Sequence, residues 1–314
     1  DTSAAGNVVI IAGTKGPDDP LWPNTDYLAN SAYNTLQYKA FSRGNIHYLS
    51  PQPGRDVDDN GLDDDIDLAS TYANCEFTFT SQLEGVSNLF VYLVDHGSRS
   101  GTNGFFRLDA GEELPGADLD RWLDDLQDTY HTKVTVLIDC CYAGTILHQL
   151  DYTGTASRVV LASAGTNQPA YFAAGGLVSF SDAFFNGVLL GYDVAECYDA
   201  AAQAMSIYQG PEYGDNGDGS LADDLFIGAT FVARRDIPQI GLVCGNQILT
   251  SGSSAYLWAD DVISAYNVDR VWCMVIPPSH NPDPSVPIDT IPEVELTYDN
   301  ELGRYQGVHD GFTR

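Results

Sequence analysis

Val91-Tyr92-Leu93-Val94-Asp95-His96-Gly97-Ser98 and Val136-Leu137-Ile138-Asp139-Cys140-Cys141-Tyr142-Ala143-Gly144-Thr145 decide how this chain is read. Each opens on an uninterrupted apolar run and closes on polar residues followed by glycine. Apolar runs of this length without alternation are strands covered on both faces, the signature of a parallel sheet. Similar strands are expected at Asn7–Gly13, Asn45–Ser50 and Ser157–Ala162, with Leu225–Phe231 as a last one. Helical spacing of apolar residues is expected over Tyr27–Phe41, Ala117–Tyr130, Ser181–Leu190 and Val194–Tyr208. Strands alternating with helices give an α/β fold with a mostly parallel sheet flanked by helices.

From about Arg235 the character changes. Short β-like runs at Ile240–Val243, Ala255–Trp258, Arg270–Ile276 and Glu293–Tyr298 are separated by Pro and Gly, and 281–292 is proline-rich. The expected organisation is a first domain over 5–232 and a smaller β-sandwich-like domain over 235–314.

Ligands of open parallel sheets sit beyond the carboxyl ends of the strands. That is where His96 and Cys141 fall. If the two strands are neighbours, imidazole and thiol face one cleft. A thiol is a nucleophile as thiolate, with an ordinary pKa of about 8.5, and an imidazole can take its proton as attack begins. Gly97 and Cys141 offer backbone N–H groups to a developing oxyanion, and Gly144 is expected to turn the chain away from the nucleophile. Taken singly, a free cysteine is usually a small core residue and a strand-end histidine an inert polar one. Both at corresponding strand ends point to catalysis.

With these residues in place, the chain resembles the legumain-like branch of caspase-fold cysteine peptidases, closest to its bacterial members, from Val8 to about Gly228. VYLVDHGS and VLIDCCYAGT are the matching segments. The resemblance implies a caspase-like fold, peptide-bond hydrolysis by a Cys141/His96 dyad, a protein or peptide substrate, no cofactor in the chemistry, and Cys140 turned into the core. Tyr142 and Ala143 stand where legumains usually carry Glu and Ser. Asn24 and Thr25 replace the basic residues that grip an Asn at the cleaved position. Two acids, Asp139 and Asp182, are candidates for bordering the S1 pocket, which would favour Lys or Arg at P1; the other reading is a backbone-bonded Asp139 and a helix-capping Asp182.

Asp56-Val57-Asp58-Asp59-Asn60-Gly61 fits a calcium loop, with Asp56, Asp58 and Asn60 as alternating oxygen ligands, Gly61 at the turn and Asp67 at the twelfth position. The flanks form no obvious helix pair, and a solvated acidic loop is the alternative. Asp215-Asn216-Gly217-Asp218-Gly219 is a shorter second candidate.

The net charge of −30 comes from 44 acidic and 14 basic residues, only three of them Lys. Such a surface repels phosphate backbones, so nucleic-acid binding is not expected. Apolar runs such as Val8–Ala12 fall far short of the roughly 20 residues a membrane helix needs. Asp as first residue, without a leader, fits a secreted or cell-surface mature chain and equally a trimmed one. The six cysteines form no CxxC pair, which excludes a thiolate zinc site of the usual spacing. Two other functions stay open: acyl transfer to an amine by the same dyad, and a calcium-stiffened scaffold at a cell surface or matrix.

Overall fold

The computed structural model describes residues 6–229, 238–249, 252–277, 280, 282–283 and 286–312. They fall into two compact units, one within Asp1–Ala233 plus Pro282–Asp289, the other within Arg234–Asn281 plus Thr290–Arg314. The chain thus returns to the first unit for a short stretch that the sequence assigns to the β domain.

In chain order the first unit runs β1 (Asn7–Ala12), α1 (Trp22–Tyr38), β2 (Ile46–Leu49), α2 (Tyr72–Phe77), β3 (Asn88–Val94), β4 (Gly97–Ser100), β5 (Asn103–Asp109), β6 (Glu112–Pro115), α3 (Gly116–Tyr130) and β7 (Lys133–Asp139). It continues with α4 (Ala143–Leu147), β8 (Arg158–Ala162), β9 (Phe172–Ala173), α5 (Phe180–Leu190), α6 (Val194–Ala204) and β10 (Glu212–Asp215). The main sheet has the order β10-β8-β7-β3-β1-β2. All its pairs are parallel except β10 with β8.

Side chains alternate across a strand, so each apolar run feeds two cores. Val8, Ile10, Tyr92, Leu137 and Leu161 join α1, α5 and α6 on one face. Val9, Ile11, Val91, Leu93, Val136 and Ile138 join α3 on the other, where Trp122 stacks on Phe79. Burying each large apolar side chain contributes roughly 1.5–3 kcal/mol. Two covered faces explain why the strands read as continuous apolar runs.

Two expectations fail for local reasons. Helix α1 begins at Trp22 rather than Tyr27, because Pro23 lies in the first turn, where amides lack helical acceptors anyway. No strand forms over the described residues of Leu225–Phe231, whose last two lie outside them. Gly228 takes φ 75° there, and Ala229 N donates to the Lys39 carbonyl instead of a ladder. The edge strand is β10, hidden from sequence reading by its Glu-Tyr-Gly-Asp composition.

The second unit contains β11 (Gln239–Val243), β12 (Ala255–Ile263), β13 (Trp272–Met274), β15 (Glu293–Glu295), β16 (Thr297–Asp299) and β17 (Arg304–His309), while β14 (Ile288–Asp289) belongs to the first. An antiparallel sheet β11-β12-β17-β16 and a β13-β15 ladder enclose a small core of Ala259, Val271, Val294 and Leu296. The molecule is a mixed α/β fold with a mostly parallel central sheet flanked by helices, plus separate antiparallel sheets.

Candidate active site

Strands β3 and β7 are neighbours, in a register that places Val94 opposite Asp139. The chain stays in step for one more residue, since Asp95 N donates to the Asp139 carbonyl (3.3 Å). His96 and Cys141 therefore leave adjacent strand tips on the same edge of the sheet. The β4–β5 hairpin pins His96 from the other side, with Arg107 N donating to its carbonyl (3.0 Å).

Gly97 occupies the closest approach in the site. A Cβ there would fall on the Cys141 carbonyl oxygen and lie 2.7 Å from the Cys140 sulfur. Glycine is required by packing between the two tips, and the Gly97 amide is among the groups that pull the Cys141 pKa down. Cys140 is fully buried, as the resemblance implied. The turn after Cys141 falls on Tyr142, not Gly144. Tyr142 adopts φ 60°, ψ 24° and starts α4. Gly144 lies inside that helix, and its missing Cβ makes room for Thr166 N (2.7 Å) and the Glu212 carboxylate (2.6 Å). A non-glycine residue in the left-handed region costs on the order of 1 kcal/mol or more and tends to mark functional positions.

The structure adds a residue the sequence reading missed. Asp19, in the loop after β1, meets His96 Nε2 at 3.1 Å. Its carboxylate also accepts from Lys15 N (2.7 Å) and Leu21 N (3.0 Å). Burial alone would raise the Asp19 carboxyl. The Lys15 amide, the His96 ring and the Leu21 amide outweigh it and hold the group below the ordinary carboxylate range. A carboxylate can only accept, so the His96 proton sits on Nε2 and Nδ1 carries the lone pair. Burial pulls the His96 pKa down, and Asp19 offsets this only in part. His96 is thus a neutral, oriented imidazole near pH 7. The signal for Asp19 was the strand-end rule itself, applied to β1, the partner of β3.

Cys141 is half-buried, and its Sγ contacts the Ala170 carbonyl at 3.8 Å. Burial pushes its pKa up, against the opposing pull of the Ala170 contact, the Lys15 charge and the Gly97 N–H. The resting pair is a thiol and a neutral imidazole rather than an ion pair. The Ala170 loop is held by Gln209, a buried side chain that accepts from Tyr171 N (2.7 Å) and donates to the Ser163 carbonyl (2.7 Å).

Asp95 packs beside this group, within 4.8 Å of ligating atoms of Asp19 and His96. It accepts from Thr25 Oγ1 (3.0 Å), one of the two positions that replace the legumain basic residues. Burial raises its pKa to about 7, against the His96 amide and the Thr25 hydroxyl, with the Asp19 charge adding to the rise.

The two S1 candidates meet at the start of α5, in different states. Asp139 is completely buried, with Oδ2 accepting from Ser181 N (3.0 Å) and Ser181 Oγ (2.5 Å). A sealed carboxylate of this kind offers no face to a substrate side chain, which corrects its expected place on the pocket border. Asp182 is half-buried, accepts from Asn186 Nδ2 (2.9 Å) and lies near Tyr27. Burial lifts its pKa to about 6. It is not the helix cap: Ser179 is, accepting from Asp182 N.

In the acidic loop, Asp56, Asp58 and Asp65 each bring a carboxylate oxygen within 4.8 Å of the others. Asp67 does not join them. Its oxygens accept from Arg43 (2.6 Å) and Tyr48 N (2.8 Å), which pulls it onto β2 and corrects its expected role. Asn60 Oδ1 accepts from Leu62 N (2.8 Å), and Asp56 accepts from the Asn60 and Gly61 amides. Three clustered carboxylates suit a hard cation such as Ca²⁺. The second candidate loop is closed on itself, Asp215 accepting from Gly217 N, Gly219 N and Leu221 N.

No family model and no curated protein matches the chain. Among solved structures it is similar to the Drosophila initiator caspase Dronc, at 10% identity and a TM-score of 0.45, over 68% of this chain and 80% of that one. Identity at that level carries no residue roles across.

Proposed function

We propose that the chain is a cysteine peptidase of the legumain-like kind, acting on peptide bonds through Cys141 and His96. The observation that carries this is the β3–β7 register, which sets the Asp19-oriented imidazole and the thiol on one sheet edge with Gly97 packed against Cys141.

In the proposed mechanism His96 Nδ1 takes the Cys141 proton as the sulfur attacks the scissile carbonyl. The Gly97 and Cys141 amides receive the oxyanion. The imidazolium, stabilised by Asp19, returns its proton to the leaving amine. Water, deprotonated by the same nitrogen, then hydrolyses the thioester. Asp182 is the side chain proposed to meet a basic P1 residue. Scanning a peptide library with wild type and Cys141→Ala tests the reading. Cleavage should vanish in the variant while its melting temperature is kept; undiminished cleavage would refute the assignment. A library read by mass, with an added amine nucleophile, separates hydrolysis from acyl transfer.

Calcium held by Asp56, Asp58 and Asp65, and a secreted location where that ion is abundant, complete the proposal. The carboxylate cluster and the acidic surface support both.

A further inference from the structure

Residues Pro282–Asp289 interrupt the second unit in sequence and belong to the first, and 282–283 and 286–289 of them are described. Strand β14 pairs in parallel with β9, Ile288 opposite Phe172 and Asp289 opposite Ala173. Phe172 N donates to the Pro287 carbonyl at 2.7 Å. The Tyr171 hydroxyl donates to the Pro282 carbonyl at 3.4 Å. Burial and the neighbouring Asp289 carboxylate raise the Tyr208 pKa to about 12, and Tyr208 packs on Tyr171 with ring centroids 5.8 Å apart. Ile288 packs on the core that contains Phe172 and Phe180.

The strand that receives this segment begins two residues after Ala170, whose carbonyl touches the Cys141 sulfur. The pairing stops at Phe172, next to Tyr171 and Ala170, and before it Val286 N closes a turn on the Asp283 carbonyl (3.1 Å). Burial raises the Tyr171 pKa, and the neighbouring Cys141, Asp289 and Asp283 side chains add to the rise, so thiol and segment share its surroundings. With the segment in place Ala170, Tyr171, Phe172 and Ala173 are all buried. A backbone edge beside a nucleophile is where an extended peptide would add as a strand. Here the chain's own segment holds it. Pro282 and Pro287 fix φ and remove amide donors, which lowers the entropy lost on docking and leaves the segment only part of a ladder to make.

We propose that Pro282–Asp289 is a built-in occupant of the nucleophile-side edge, and that its release opens Cys141 to reagents and peptides. The functional consequence rests on the peptidase reading; the occlusion itself does not. The test is the rate of iodoacetamide alkylation at Cys141, mapped by mass spectrometry in the full chain. It compares wild type with Ile288→Asp, which puts a charge against the core, and with Asp289→Ala, which removes the carboxylate beside Tyr208. The expected result is a rise of roughly tenfold, the open population gained when docking loses one contact of ordinary size. Added peptide of the sequence of residues 282–289 should slow the variants again. The buried Cys75 and Cys197 report unfolding: if they are alkylated in Ile288→Asp, Asp289→Ala decides. Unchanged Cys141 reactivity in a folded variant overturns the proposal. Peptide hydrolysis is followed in parallel. Faster alkylation without hydrolysis keeps the occlusion and removes the peptidase reading, whereas wild-type hydrolysis as fast as that of the variants removes the occlusion alone.

Discussion

At the scale of single residues the site is governed by what burial does to four acids and bases. His96 is buried and its pKa is depressed, with Asp19 as the restraining partner. The base is therefore competent down to pH values below the imidazole's ordinary 6.5. The acid limb of the kcat/KM profile is expected below that value. Asp19→Asn removes the group that raises the imidazolium pKa. The limb then moves further to acid, and kcat falls by roughly 10²-fold as the ring loses its orientation. A profile that keeps its limb while losing only KM would show that Asp19 merely packs. Asp95 makes a second prediction. Its folded-state pKa of about 7 lies above its ordinary 3.8. The folded chain then binds the extra proton, so this group's stabilisation is complete below about pH 4 and lost as pH rises through 7. Asp95→Asn keeps the Thr25 acceptor without the charge. It should raise the unfolding free energy at pH 8 by an amount on the order of 1–2 kcal/mol, read as a higher melting temperature, and leave both unchanged at pH 4.

At the scale of elements, the acidic loop and α1 form one unit of behaviour. Asp65 accepts from the Tyr33 hydroxyl of α1 and from the Val57 and Asp58 amides. A bound cation would neutralise the loop and tighten this clasp. Calcium at 100 times its Kd is expected to stabilise the chain by about 2.7 kcal/mol, read as a rise in melting temperature that EGTA reverses. Asp58→Asn should abolish the response; a rise that survives it would move the cation elsewhere. The elements also show what sequence could and could not convey. Strands β1, β3 and β7 were legible because both faces are covered and their buried stretches, Val8–Ala12, Leu89–Val94 and Val136–Ile138, are apolar. The His96 and Cys141 pair followed from that reading with the strand-end rule. The same rule points to the loop after β1, but which of its acids, Asp18 or Asp19, meets His96 shows only once β1 and β3 pair. Asp65 and Asp67 trade places for a similar reason. The twelve-residue spacing presumes a free loop, whereas β2 and Arg43 fix where Asp67 points.

For the whole molecule, charge sets the approach of partners. At −30 the surface attracts basic peptides and repels acidic ones over a Debye length, about 10 Å at 0.1 M salt. The kcat/KM for a Lys- or Arg-rich peptide is expected to fall several-fold as salt is raised from about 0.02 to 0.2 M, and for an acidic peptide to rise. Equal slopes for both would mean that the cleft is electrostatically shielded from the surface.

The discontinuous first unit has a consequence for synthesis on the ribosome. Residues 234–281, 48 in number, separate its two parts. At roughly 5–20 residues per second, β14 leaves the tunnel about 2–10 s after everything it docks on. During that interval the nascent chain holds a complete sheet, a finished thiol–imidazole pair and an empty β9 edge, so the newborn molecule passes through its most reactive state before the polypeptide is finished.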